Sequence, residues 1–514
     1  MAITAGSDIL ASDFVSTAAG AGDSGKVPKL DAFGKILDAF TYKQYVTQTA
    51  NGDIAANDAV YPTAANTVKS LYPTDKGTGT TITTSPSHAA SQKQMPLSTS
   101  GLFLHVVGGD GGSSGNSVLY AQVRSINAAE TDFSNGSEAT IYSTSNGVHF
   151  FDICQISTDK FLIIYQTNTS GSPVGIKAVV ITVSGTTITV GTAVTIETTG
   201  ALARQVACAT VDTDKGAIFY QKDSDSDLYV QILTVSGTTI TTNTAVLVKA
   251  MTNACSVVAG QLATNSVLVL YTENSTSSNI YAKTVTVSGT TPTVNAEQTL
   301  VAVSSNRTLG LAIASSTKAL MCYSESGTPT NDQVCILTIS GATVTKGSNL
   351  ALGSNRNDFT YFGMVTIGTK YAMVGKVTTN TTYSVYFLDI TGATPTSVSS
   401  ESFGMSSTAG IHNSVSIVKV SPWTYVAISA QGDSDVLIKL TPSSTIKSGV
   451  ANAAIANAAT GTILHRYRTH TLSGITLTPA STYYVDDTGQ PTTKSSLTSQ
   501  IYGVALSTTD MLIQ

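Results

Sequence analysis

The stretch ITVSGTTIT at residues 181–189 returns as LTVSGTTIT at 233–241, VTVSGTTPT at 285–293, LTISGATVT at 337–345 and LDITGATPT at 388–396. Its turn glycines, Gly185, Gly237, Gly289, Gly341 and Gly392, lie 52, 52, 52 and 51 residues apart. A fixed period of this length marks a repeat architecture. Val, Ile and Thr alternate on both sides of the turn, and branched side chains suit a pleated strand. The glycine supplies the positive φ of a tight hairpin. Two further apolar runs precede each copy, as in CSVVAGQLA (255–263) and SVLVLYTEN (266–274). Four strands per repeat predict the four-stranded antiparallel blade of a β-propeller.

The blade count comes from following the third strand outward. YAQVRSINA places a degenerate turn near Ala128 and DVLIKLTPSS another near Ser443. With the five clear copies, these give an expected seven blades. The second strands, LFLHVV, LIIYQT, AIFYQK, LVLYTE, LMCYSE, AMVGKV and VAISAQ, give the same number. One aligned position in them holds His105, Tyr165, Tyr220, Tyr271, Tyr323, Gly375 and Ser429. Its aromatic residues are expected to pack between neighbouring blades. GTGTTITTSP at 77–86 has the turn and fourth strand of a repeat without the first three, and the last repeat has a poor fourth strand. Residues 79–86 are therefore expected to close the ring on 434–441, which removes an exposed edge.

The expected fold is all-β: a seven-bladed propeller of four-stranded antiparallel blades, inserted in a small β-domain made by the two flanks. Residues 1–40 read as an extended arm, 41–76 as the first half of that domain and 77–450 as the propeller. Residues 451–514 read as a linker and the second half. LDAF occurs at 30–33 and at 37–40, but Gly34 between them weighs against a stable amphipathic helix.

Charged residues are 11% of the chain and the formal net charge is −5, unlike a basic nucleic-acid surface. The N-terminus reads unlike a secretory signal. No run approaches the ~18–20 apolar residues of a membrane span. Cys154, Cys208, Cys255, Cys322 and Cys335 lie inside apolar strands and read as buried thiols of a reducing compartment. A bridge between Cys322 and Cys335, on neighbouring strands, stays open.

GDSGKVPKLDAFGKI (22–36) resembles the leader of tailed-bacteriophage fibre and virion proteins. NGDIAANDAVYPTAANTVKSLYP (51–73) resembles a small β module of phage structural proteins, of the form G-x-I-x-x-x-D-x-V-Y. YYVDDTGQPTT (483–493) and IYGVALSTTDMLI (501–513) are similar to the end of such a module. The resemblance implies a virion protein assembled in the host cytoplasm, released by lysis and joined to other virion proteins through its N-terminal arm. It also implies a homo-oligomer, with a trimer the first expectation.

No constellation reads as catalytic. GGSSG at 111–115 matches G-x-S-x-G around Ser113, but a strand rather than a helix follows. KDSDSD (222–227) and GDSD (432–435) could curl around Ca²⁺, but both are hairpin tips joining second to third strands and read first as solvated turns. HRYRTH (465–470) would alternate Arg466, Arg468 and His470 on one strand face, which could meet phosphate or an acidic subunit. Sialidase-type S-x-D-x-G-x-T-W boxes do not occur, and Trp423 is the only tryptophan. The expectation is a non-enzyme without cofactor or metal.

The third-to-fourth turns are nearly constant, whereas the second-to-third loops all differ: GGDGGSSGN, TNTSGSPVG, KDSDSD, ENSTSSN, ESGTPTNDQ, TTNTT and QGDSD. The two sets project from opposite ends of a four-stranded blade, and varied loops on a fixed scaffold carry binding. The candidate binding residues are Asp110, Ser113, Asp223, Asp225, Asp227, Asn274, Asn331, Asp433 and Asp435. Three functions stay open: a tail or head fibre or spike contacting a host-surface glycan or protein, a purely structural capsid-decoration or tail-collar protein, and a glycan-degrading spike.

Overall fold

In the computed structural model, the repeated Ser-Gly turn is a two-residue hairpin. Ser184 pairs with Thr187, Ser236 with Thr239, Ser288 with Thr291 and Ser340 with Thr343. Gly185, Gly237, Gly289 and Gly341 have φ of 58°, 62°, 61° and 59°. The fifth copy differs. Its strands stop at Asp389 and Thr396, which face each other across a longer turn. Asp389 stands where the other copies have Thr. Its Oδ1 accepts the Thr391 N–H at 2.8 Å and the Thr391 hydroxyl at 2.6 Å. That local carboxylate turn replaces the glycine hairpin.

The description covers residues 91–442 apart from loop segments at 109–116, 127–132, 145–147, 149, 170–171, 199–205, 223–224, 254, 274–278, 303–308, 326–330, 355–358, 380–381, 405–411, 422–423 and 430–434. Short strands of both flanks are also described. The two LDAF segments, Trp423, the GGSSG loop, His465, Arg466 and Arg468 lie outside the described residues. No described helix is long and apolar enough to cross a membrane.

Six blades are built from consecutive antiparallel strands: blade 1 at 91–144, blade 2 at 151–197, blade 3 at 207–249, blade 4 at 255–302, blade 5 at 309–354 and blade 6 at 363–404. This corrects the expected seven-bladed propeller to six blades. The final repeat has strands at His412–Ser421, Thr424–Ser429 and Asp435–Pro442 but no fourth strand of its own. Residues 449–451 instead pair with 59–60 and 463–464. A composite closing sheet fills the place between blades 6 and 1. Phe359–Tyr361 joins it in parallel on one edge, and Thr80–Ile82 and Pro73–Lys76 pair antiparallel with Asp435–Pro442. The all-β propeller class stands; what fails is the assumption that every third strand implies a whole blade.

A single blade cannot bury both of its faces, so each packs on the next. Tyr165 lies in the apolar cluster between blades 1 and 2, Tyr220 between 2 and 3, Tyr271 between 3 and 4, and Tyr323 between 4 and 5. Polar bonds cross the same interfaces. The Asp214 N–H donates to Ile156 O, the Asn265 N–H to Val211 O and the Gly101 N–H to Val420 O, each at 2.8 Å. The free inner edges are also met by side chains. The Cys208 N–H donates to Asp152 Oδ2 at 2.9 Å, and the Thr366 hydroxyl to Ile313 O at 2.9 Å. All five cysteines are buried free thiols, so Cys322 and Cys335 form no bridge. Burial raises the thiol pKa of Cys208, Cys322 and Cys335.

The flanks belong to a second unit, residues 1–71, 446–482 and 502–514. Its strands at Val46–Ala50, Ala59–Ala64, Thr67–Ser70, Gly449–Ala451 and Thr460–Leu464 close into a barrel. Asp510–Ile513 pairs with Thr469–Thr471 and with Ile501–Ala505. The other unit comprises 72–445 and 483–501.

The junction of blade 1 with the closing sheet sets buried polar groups beside an apolar cluster of Phe103, Val418, Val420, Val426 and Ile428. His105 is buried, with Nε2 2.9 Å from Gln92 Oε1, and Arg124 is buried nearby, its Nε–H donating to Asn135 Oδ1 at 2.9 Å. Burial, then the Arg124 charge, lowers the His105 pKa to about 3. In the unfolded chain this imidazole takes a proton below about pH 6.5. The unfolded state therefore binds more protons as pH falls, and stability present above pH 6.5 is lost toward pH 3. The expected slope from this one group is at most ~1.4 kcal/mol per pH unit. Urea melts of wild type and His105→Gln between pH 7 and 4 check it; equal slopes would contradict the assignment. A second expectation concerns the turns. No atom lies within 4 Å of the Cβ that a residue would add at Gly289. Gly289→Val should therefore lose only ~1–2 kcal/mol, from its left-handed backbone, measured as a lower unfolding midpoint.

Candidate binding face

Antiparallel order puts the second-to-third loops, with the links from each outer strand to the next inner strand, at one end of the propeller. The first-to-second turns and the glycine hairpins share the other end. The latter end is uniform. Asp159, Asp214 and Asn265 adopt φ of 52°, 57° and 61° at equivalent first turns. Their carbonyls accept the N–H of Val183, Val235 and Val287 at 2.8, 2.9 and 3.0 Å. The strand at 73–76 starts at this same end, opposite Pro442.

At the variable end, the best-described loop is that of blade 3. The Lys222 N–H donates to Asp227 O at 3.0 Å, and the Asp227 N–H donates to Asp225 Oδ1 at 3.0 Å. The Tyr229 hydroxyl donates to Asp225 Oδ2 at 2.9 Å, which with some burial raises the Tyr229 pKa. Asp227 Oδ1 accepts the Met251 N–H at 2.8 Å. These carboxylates knit the loop to itself and to the next strand. Among the described residues, no group of three His, Cys, Asp or Glu side chains could hold a metal ion. Asn331 is exposed at the start of the third strand of blade 5, paired with Glu325. Asp435 begins its strand opposite Ile82 and Ile428. Asp110, Ser113, Asp223, Asn274 and Asp433 lie outside the described residues.

Sequence reasoning passed over a set of ring-and-cation pairs at this end. The Lys222 ammonium lies 4.1 Å from the centre of the Tyr229 ring, Lys249 4.8 Å from Tyr281 and Lys177 5.7 Å from Tyr142. Such pairs hold a flat apolar surface beside a charge. The signal was available, because Lys177, Tyr229 and Tyr281 are spaced at the 52-residue period. Behind Tyr281, Glu297 accepts from Lys249 at 2.9 Å and from the Tyr271 hydroxyl at 2.5 Å. Burial works against the Glu297 carboxylate. The bonds from Lys249 and Tyr271, with the charges of Lys249 and Lys283, outweigh it and lower its pKa.

A buried ion pair braces blades 5 and 6 beneath their variable loops. Lys376 Nζ donates to Asp332 Oδ2 at 2.7 Å and to Gly353 O at 3.1 Å, and the Ser324 hydroxyl donates to Asp332 Oδ1 at 2.7 Å. Both charged side chains are fully buried.

No protein-family model matches the chain, and no curated protein does. Solved propellers are similar at low identity. AofleA from Arthrobotrys oligospora, in a mutant form, has a TM-score of 0.40 at 6% identity, covering 65% of this chain and 94% of its own. Aleuria aurantia lectin, a mutant in complex with Fucalpha1-6GlcNAc, has 0.37 at 9%, covering 60% and 94%. The β-propeller domain of the Trilobed protease from Pyrococcus furiosus has 0.36 at 8%, covering 68% and 95%. Such likenesses say nothing of what this chain binds or does.

Removing one partner of a buried pair strands the other charge, which costs about 3–5 kcal/mol. Lys376→Met should show that loss in denaturant melts, and Lys376→Met with Asp332→Leu should recover most of it. A single variant as stable as wild type would remove the brace from the account.

Proposed function

We propose that this protein is a virion component of a tailed bacteriophage, a fibre or spike that attaches to the host surface through the variable end of its propeller. It acts by binding, not by catalysis. It assembles in the host cytoplasm as a homo-oligomer, a trimer first, joins other virion proteins through its N-terminal arm and leaves by lysis. The observation that supports this reading is the contrast between the two propeller ends. One repeats the same glycine hairpin at 52-residue intervals, while every loop at the other differs. Scaffold turns stay alike when only folding constrains them, and loops diverge where they meet a partner. The partner chemistry is a surface glycan or protein met by the pairs of Tyr and Lys at the rim. The leader and module resemblances at 22–36 and 51–73 support the virion setting.

The test is to replace residues 223–226 and 327–330 with Gly-Ser segments of equal length in phage carrying this gene. Adsorption should drop at least tenfold while incorporation into particles is unchanged. Lost incorporation with normal adsorption would overturn the face assignment and leave a purely structural capsid or collar role.

A further inference from the structure

Two of the buried thiols share one seam. Cys154 lies on the inner strand of blade 2, Phe151–Ser157, and Cys208 on that of blade 3, Ala207–Asp212. Both belong to the apolar cluster between these blades. Two hydrogen bonds draw the strands together on either side of Cys154. The Cys208 N–H donates to Asp152 Oδ2 at 2.9 Å, and the Thr210 hydroxyl donates to Gln155 O at 2.5 Å. The Cys208 thiol donates to Leu162 O at 3.7 Å, and Leu162 is the residue directly opposite Cys154 on the neighbouring strand. Burial, and then contact with the Cys154 thiol, raise the Cys208 pKa.

The other three cysteines are placed differently. Cys322 and Cys335 sit on paired strands but in different clusters, one on each face of blade 5. Cys255 sits in the cluster between blades 3 and 4, which holds no second cysteine among the described residues. Cys208 also borders a cavity of about 210 Å³ lined by inner strands. A water needs only about 10–15 Å³ in such a measure, and hydrogen peroxide is little larger.

We infer that Cys154 and Cys208 are a dithiol that hydrogen peroxide converts to a disulfide, stapling blade 2 to blade 3. Cys208 reacts first. Its sulfur, as thiolate, attacks one peroxide oxygen, the O–O bond breaks and hydroxide leaves, so Cys208 becomes a sulfenic acid. The Cys154 sulfur then attacks the Cys208 sulfur, the S–O bond breaks and water leaves. In balance, two thiols and one peroxide give one disulfide and two waters; sulfur is oxidised and peroxide oxygen reduced. Burial leaves little thiolate at neutral pH, so the first step is slow. The second is intramolecular, between groups the fold already holds in one cluster. The new bond closes residues 154–208 into a loop and restricts the unfolded chain.

The test takes the full chain purified with reductant, freed of it and exposed to hydrogen peroxide. Peptide mapping without reduction should recover Cys154 joined to Cys208, with the intact mass lower by two hydrogen atoms. The unfolding midpoint should rise by at least ~5 °C and fall back with dithiothreitol. Cys154→Ser should cancel that rise and leave Cys208 as a sulfenic acid that dimedone captures. The mapping is done on wild type, so it stays decisive if the variant does not fold. Both thiols still free after peroxide would overturn the inference, as would a bridge between Cys322 and Cys335 instead. So would Cys208 carried on to sulfinic acid with Cys154 free, or a Cys154–Cys208 bridge that leaves the midpoint unmoved.

Discussion

Every blade has two apolar faces and cannot stay in water alone. That need to cover both faces generates the rest of the structure. Alternation in the second strand sends Ile164 and Leu162 into the cluster shared with blade 3, and Ile163 and Tyr165 into the cluster shared with blade 1. Burying such side chains is worth about 1.5–3 kcal/mol each, so the interfaces dominate. The hydrogen bonds between blades add direction to a force that has none. The N–H of Asp214 can reach Ile156 O only if blade 3 sits at one angle to blade 2.

Much of this was legible in the chain. The period, the four-strand unit and the glycine hairpins follow from Gly185 to Gly341, because a two-residue turn leaves few other ways to place φ. The fifth copy was misread because Asp389 looks like a conservative change from Thr. Its carboxylate captures Thr391 and opens the turn. The seventh blade was misread for a related reason. Third strands count repeats, but the last sheet is not a blade of consecutive strands: Thr80–Ile82 pairs with 435–437, Pro73–Lys76 pairs with 440–442, and Phe359–Tyr361 joins in parallel on the other edge.

The candidate site was legible only as a place. Loop variation pointed to one end as the candidate binding face, but it favoured carboxylates as the agents. Asp225 and Asp227 turned out to serve the loop's own geometry. Tyr229 and Tyr281 instead present rings beside lysines at that end, and their signal lay in a register the comparison of loops ignored. The buried polar groups of blade 1 were invisible for a different reason. Strand alternation tells which face a side chain takes; it does not tell that Gln92, His105 and Arg124 would be buried there.

The closing sheet carries a mechanical consequence. Residues 73–82 run antiparallel to 435–442, and the chain departs from both at Pro73 and Pro442, on the same end. Tension applied at those two points would peel this seam, loading its hydrogen bonds in succession. A seam loaded in shear would share the force among all of them. The composite sheet would open there like a zipper, bond by bond, while the six blades beyond it are clamped by their own interfaces.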